Sequence, residues 1–138
     1  MSEKKKYVGS CLCGAIHYQI DGEIGNIIQC HCRKCRKANG TAFATNAPVA
    51  KSAFKFTQGE QFLKKFKSGE TTERCFCREC GSPIMSIKAQ DPEFYRLRIG
   101  TLDTPLEQKP TQHFFAGSKA EWDKIYDDLP QYDGFPTS

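Results

Sequence analysis

RCFCREC, spanning Arg74–Cys80, repeats the cysteine spacing of QCHCRKC, spanning Gln29–Cys35: both contain C-x-C-x-x-C. A Cys-x-x-Cys turn folds the backbone into a tight knuckle that brings two thiolates to one tetrahedral ion. Cys32–Cys35 and Cys77–Cys80 are two such turns, and Gly81 directly after the second permits the positive φ with which a chain leaves a knuckle. Cys11-Leu12-Cys13 accounts for the remaining thiols of the eight. Eight thiols divide into two four-ligand sites, which would make a rigid structural module. They also divide into four, three and one, which leaves one metal with an open coordination position. Each knuckle needs further ligands from neighbouring strands. Cys11 and Cys13 can complete a four-cysteine site with either knuckle, while the other knuckle relies on its own upstream thiol, Cys30 or Cys75.

The surrounding composition favours metal over disulfides. The chain has 138 residues, the size of one domain, with a core small enough for metal sites to add usefully to stability. MSEKKKYVGS carries charge without a signal-peptide core, and no run approaches the length of a membrane span. A soluble, cytoplasmic protein is expected, with residues 1–6 as a solvated tail. A reducing cytosol disfavours disulfides. On a strand, a rise of ~3.3 Å per residue would also put Cys11 and Cys13 near the upper limit for a bond to each other, although both side chains face one way. The formal charge of +4 at pH 7 counts thiols as neutral. Seven thiolates and two zinc ions would contribute about −3, so the loaded protein is close to neutral and nucleic-acid binding is not expected.

Apolar and polar residues alternate through Ile16, Tyr18 and Ile20, as in a half-buried strand, and Asp21-Gly22 signals a turn. Further short strand candidates run over 27–32, 41–46, 53–57, 61–67, 73–77, 84–88 and 94–102, separated by Gly, Pro, Asn or Ser clusters. Many short strands without intervening helices predict an all-β domain of mainly antiparallel strands. One short C-terminal helix is expected. Ser118 and Glu121 form a capping-box spacing, Trp122, Ile125, Tyr126 and Leu129 follow at helical intervals, and Pro130 ends the run.

GSCLCGAIHY, CHCRKCRKANG and FCRECGSP, in this order, together with HFF, a following Trp and DLPQYDGFP, resemble the glutathione-dependent formaldehyde-activating enzyme family. The resemblance covers most of the chain and implies a β-tent fold of zinc-linked antiparallel sheets. It implies two Zn²⁺ per chain. One is structural, held by Cys11, Cys13, Cys77 and Cys80; the other is catalytic, held by Cys30, Cys32 and Cys35, with its fourth position kept for water or substrate. Cys75 stands outside the family motif and reads as a small buried hydrophobe. The implied activity is that of a carbon–sulfur lyase, an S-(hydroxymethyl)glutathione synthase, with glutathione and formaldehyde as its small-molecule partners.

Three thiolates make an ion a poorer Lewis acid than three imidazoles would, so thiolate binding suits such a centre better than water activation. Arg33, Lys34, Arg36 and Lys37 crowd the first knuckle, where they either attract the carboxylates of glutathione or offset thiolate charge. His31 lies between two ligands and by alternation points away from the metal; His17 and His113 are two further histidines, and none of the three is read as a proton shuttle. The rival class is a zinc-stabilised binding module for protein or nucleic acid without catalysis, since the same family includes centromere protein V.

Overall fold

The computed structural model describes residues 5–136. Its ten strands are β1 (Lys6–Ser10), β2 (His17–Asp21), β3 (Ile28–Cys30), β4 (Ala44–Ala50), β5 (Phe54–Gln58), β6 (Leu63–Ser68), β7 (Thr72–Cys77), β8 (Pro83–Lys88), β9 (Asp91–Arg98) and β10 (Gln112–Phe114). A single α-helix, α1, spans Arg33–Asn39. The protein is mostly β, as the sequence predicts. Among the described residues no helix is long and apolar enough to cross a membrane.

The chain forms two compact units, one holding the chain up to Gly25 with Ala47–Leu106, the other holding Asn26–Asn46 with the chain from Glu107 onward. In the first unit, β2 pairs antiparallel with both β1 and β5. Period-two alternation puts Tyr18 and Ile20 on the inner face, and both are fully buried together with Ile16. Tyr18 stacks on Phe54 and shares a 2.7 Å hydrogen bond with the Thr101 hydroxyl. Gly9 lies directly across from Tyr18, and a side chain there would collide with the phenol ring. Strands β6, β7, β8 and β9 form an antiparallel run in which every consecutive pair is hydrogen-bonded. Exposed Lys64, Lys65 and Lys67 on β6 discourage further strands from adding to that end.

In the second unit, β3 is central, paired parallel to β10 and antiparallel to β4. The segment Gln131–Tyr132 runs beside β10, with the Tyr132 amide donating to the His113 carbonyl at 2.9 Å. Phe135 closes this unit edge-on against Phe114 and Phe115.

Two expectations need correction. The C-terminal helix over Trp122–Leu129 does not form, and the structure's α-helix is instead α1, inside the first knuckle. The Asp127 carboxylate accepts the Leu129 amide at 3.0 Å and a hydrogen bond from His113, so a side chain takes the place of helical hydrogen bonding. Asp127 and Asp128 would also have stood at the negative end of that helix dipole. Lys6, expected in the tail, instead pairs with Asp21 in β1; residues 1–4 lie outside the described residues, as do 137–138.

Candidate metal centres

Seven of the eight cysteine sulfurs fall into two groups, set by the strand ends and loops that carry them. In the first unit, β1 delivers the chain to Cys11. The loop then turns back, with Gly14 at φ 78° donating to the Cys11 carbonyl and the Ile16 amide donating to Cys11 Sγ at 3.3 Å. Strand β7 ends at Cys77, and the knuckle after it closes through Gly81, whose amide reaches the Cys77 carbonyl at 2.7 Å with φ 81°. Ser82 joins the two loops: its hydroxyl accepts the Leu12 amide at 2.9 Å and lies 3.3 Å from Cys80 Sγ.

The sulfurs of Cys11, Cys13, Cys77 and Cys80 all lie within 4.8 Å of one another, with 3.7 Å between Cys11 and Cys13 and 3.8 Å between Cys13 and Cys77. A tetrahedral ion with sulfur at ~2.3 Å separates its ligands by about 3.8 Å, the spacing of those two pairs, so this group could hold a metal ion. Its protonation pattern is divided in the same sense. The Ala15 amide favours a Cys13 thiolate, but burial and hydrogen bonds with Cys11, Cys80 and Cys77 push that thiol up to about 12. Burial raises Cys80, yet hydrogen bonds with Ser82 and from the Cys13 backbone bring it down to about 5. Thiolates this close need a cation before all can ionise.

In the second unit, Cys30 ends β3, between Phe114 of β10 and Ala44 of β4. Cys32 is the N-cap of α1, in extended conformation, and its Sγ accepts the Cys35 amide at 3.3 Å. Cys35 lies one turn on, with its carbonyl held by the Asn39 side chain at 3.0 Å, and Gly40 ends the helix at φ 68°. The knuckle is therefore a helix N-terminus. The three sulfurs lie within 4.8 Å of one another and could also hold a metal ion. Hydrogen bonds with Cys32 and Cys35, together with burial, push the Cys30 thiol upward. Ala44 with Cys30 and Cys35 forms a buried cluster, walled by Ile28, Phe114 and Phe115. Phe115 is held at φ 56°, ψ 38°, a left-handed conformation that costs about 1–2 kcal/mol for a residue with a Cβ. It is the only described non-glycine residue with positive φ.

Cys75 belongs to neither group. It is buried on β7 between Lys65 and Met85, and burial pushes its thiol up to about 11. The cations differ from one another. Arg33, Lys34 and Lys37 are exposed on α1, whereas half-buried Arg36 donates to the Ser118 carbonyl at 3.2 Å and so braces the turn after Phe115.

Sequence reasoning missed a chain of polar groups beside the first knuckle, two buried imidazoles ending on the exposed Asp127 carboxylate. His31 Nε2 lies 2.9 Å from His113 Nδ1, and His113 Nε2 lies 3.0 and 3.1 Å from the two Asp127 oxygens. Both rings are almost fully buried. Burial, then neighbouring His113, holds His31 below its ordinary pKa, while the His113 hydrogen bond and then the Leu129 amide hold Asp127 below the usual carboxylate range. The alternation that turns His31 away from its flanking cysteines was visible in the sequence, but its partners lie 82 and 96 residues on.

A profile of the glutathione-dependent formaldehyde-activating enzyme family matches residues 6–118. The chain is 30% identical over 79 residues to an uncharacterized lyase of Schizosaccharomyces pombe, a match covering 57% of this chain and 56% of that protein's length. A crystal structure of a Rhodobacter sphaeroides protein is similar with a TM-score of 0.61 at 25% identity, over 72% of this chain and 91% of the other.

Proposed function

The chain belongs to the glutathione-dependent formaldehyde-activating enzyme family, and from that premise we propose that it is a zinc-dependent carbon–sulfur lyase forming or cleaving the S-hydroxymethyl adduct of glutathione. The observation that carries this reading is the three-cysteine group of Cys30, Cys32 and Cys35, which supplies one donor fewer than a closed tetrahedral site takes. The lyase name of the fission-yeast relative supports the same reaction class.

A zinc ion in this group would lower the pKa of an incoming thiol and hold its sulfur in the remaining position. The residues of the chain prepare for that. Cys30 and Cys35 offer buried sulfurs, while half-buried Cys32 leaves one side of the group open to solvent. Ile28, Phe114 and Phe115 provide an apolar wall against which a one-carbon aldehyde can lie with less competing water. Exposed Arg33, Lys34 and Lys37 attract the glutathione carboxylates. In the forward direction the sulfur–carbon bond forms, the carbonyl π bond opens onto oxygen, and that oxygen gains the proton lost by the thiol. Cleavage reverses each change.

Adduct formation from ¹³C-formaldehyde and glutathione, followed by NMR, tests the proposal. The zinc-loaded protein is expected to raise the rate above the uncatalysed reaction, and Cys35→Ser to abolish the increase. A rate unaffected by the protein would contradict it.

A further inference from the structure

The geometry points to a positioning role for Asp127 and His113. We propose that they fix His31 in one tautomer and, through it, hold the Cys30-His31-Cys32 segment in the shape that converges its two sulfurs on a metal. The proposal rests on reading Cys30, Cys32 and Cys35 as a metal centre. His31 itself is no ligand: neither ring nitrogen joins that group. Its backbone is the link between two members of it, its amide donates to the Phe114 carbonyl at 2.9 Å, and its ring is fixed at the far side by His113 and packs on Phe43 at 5.1 Å.

The direction of the hydrogen bonds follows from one end. Asp127 accepts only, so the hydrogen of His113 sits on Nε2, pointing at the carboxylate. His113 Nδ1 is then an acceptor, and the hydrogen facing it must belong to His31 Nε2. That leaves His31 Nδ1 as a bare lone pair, and this atom is indeed buried without a hydrogen-bond partner among the described residues. The opposite arrangement costs more. A cationic His113 would donate from both nitrogens and force the His31 hydrogen onto Nδ1, where a buried N–H would meet no acceptor; orphaned N–H groups are rarer than under-used acceptors. The carboxylate and the buried lone pair thus select the same tautomer.

The imidazole pair also ties distant chain segments to the centre. His113 sits on β10 with its amide donating to the Pro130 carbonyl, and Asp127 lies in the irregular segment just before, so the segment that fails to become helical is the one that supplies the carboxylate. Outer partners that orient metal-binding segments typically contribute 10–100-fold to affinity.

Two measurements on the full-length zinc-loaded chain test the proposal. In ¹⁵N imidazole spectra of the wild type, both His31 and His113 are expected to carry hydrogen on Nε2, and in Asp127→Ala the His31 signals are expected to show both tautomers. In chelator competition, Asp127→Ala is expected to weaken zinc at the three-cysteine centre about 10–100-fold, with the four-cysteine centre unchanged as an internal control. His31 protonated on Nδ1 in the wild type, or three-cysteine affinity in Asp127→Ala equal to wild type, would overturn it. The wild-type spectrum needs no variant, and neither readout involves glutathione, so loss of the proposed activity would leave both intact.

Discussion

Cys75 and Cys77 stand two residues apart on one strand and point to the same face, yet only Cys77 joins a sulfur group. The difference lies in strand ends. Cys77 is the last residue of β7 and turns into the knuckle, whereas Cys75 is paired on both sides and fully enclosed. A buried thiol whose pKa burial raises, even with Lys65 and Arg98 near it, behaves as a small hydrophobe. Cys75→Ala is therefore expected to cost about 1 kcal/mol of stability through the volume lost, with the number of metal ions bound per chain unchanged. Denaturant unfolding and elemental analysis of the same variant check both halves; loss of one ion per chain would place Cys75 in a centre after all.

Each short element owes its form to what its ends can bond. The first knuckle becomes α1 because Cys32 caps it through sulfur and Gly40 closes it, although Arg33–Asn39 is too short to persist as a helix alone. The segment after Ser118 carries a better helical pattern and stays irregular. Its aromatic residues find no surface to cover, although Ile125 and Leu129 are half-buried: Trp122 is 73% exposed and Tyr126 86% exposed. Trp122→Ala and Tyr126→Ala should each change stability by less than about 0.5 kcal/mol, where a packed aromatic would cost ~3–5 kcal/mol. Tryptophan emission of the native protein should be that of a solvated indole. These residues also show what was legible in the sequence. Alternation located β2, and the candidate strands from 53 to 102 fell on β5 to β9 with ends displaced by a few residues, because local pattern and tertiary burial agree there. Spacing left both divisions of the cysteines open, and the four-cysteine and three-cysteine groupings followed from the family resemblance. The helix error arose because periodicity reports a possible apolar face and not whether another layer exists to receive it. The His31, His113 and Asp127 chain was out of reach because it depends on the parallel pairing of β10 with β3, which no local signal announces.

The two cysteine groups act over different lengths of chain. Cys13 and Cys77 are 64 residues apart, so a metal there would close a long loop and constrain the unfolded chain strongly. Cys30 and Cys35 are five residues apart, so the second group can do little for stability by closing a loop. Its placement among Phe114, a left-handed Phe115 and a buried imidazole pair fits the catalytic role proposed for it. Cadmium-substituted protein distinguishes the two directly, because ¹¹³Cd resonances of four-sulfur and three-sulfur coordination are well separated. One four-sulfur signal that ignores glutathione, and one three-sulfur signal that moves when glutathione is added and vanishes in Cys35→Ser, is the predicted spectrum. Two four-sulfur signals, neither of which responds to glutathione, would contradict it.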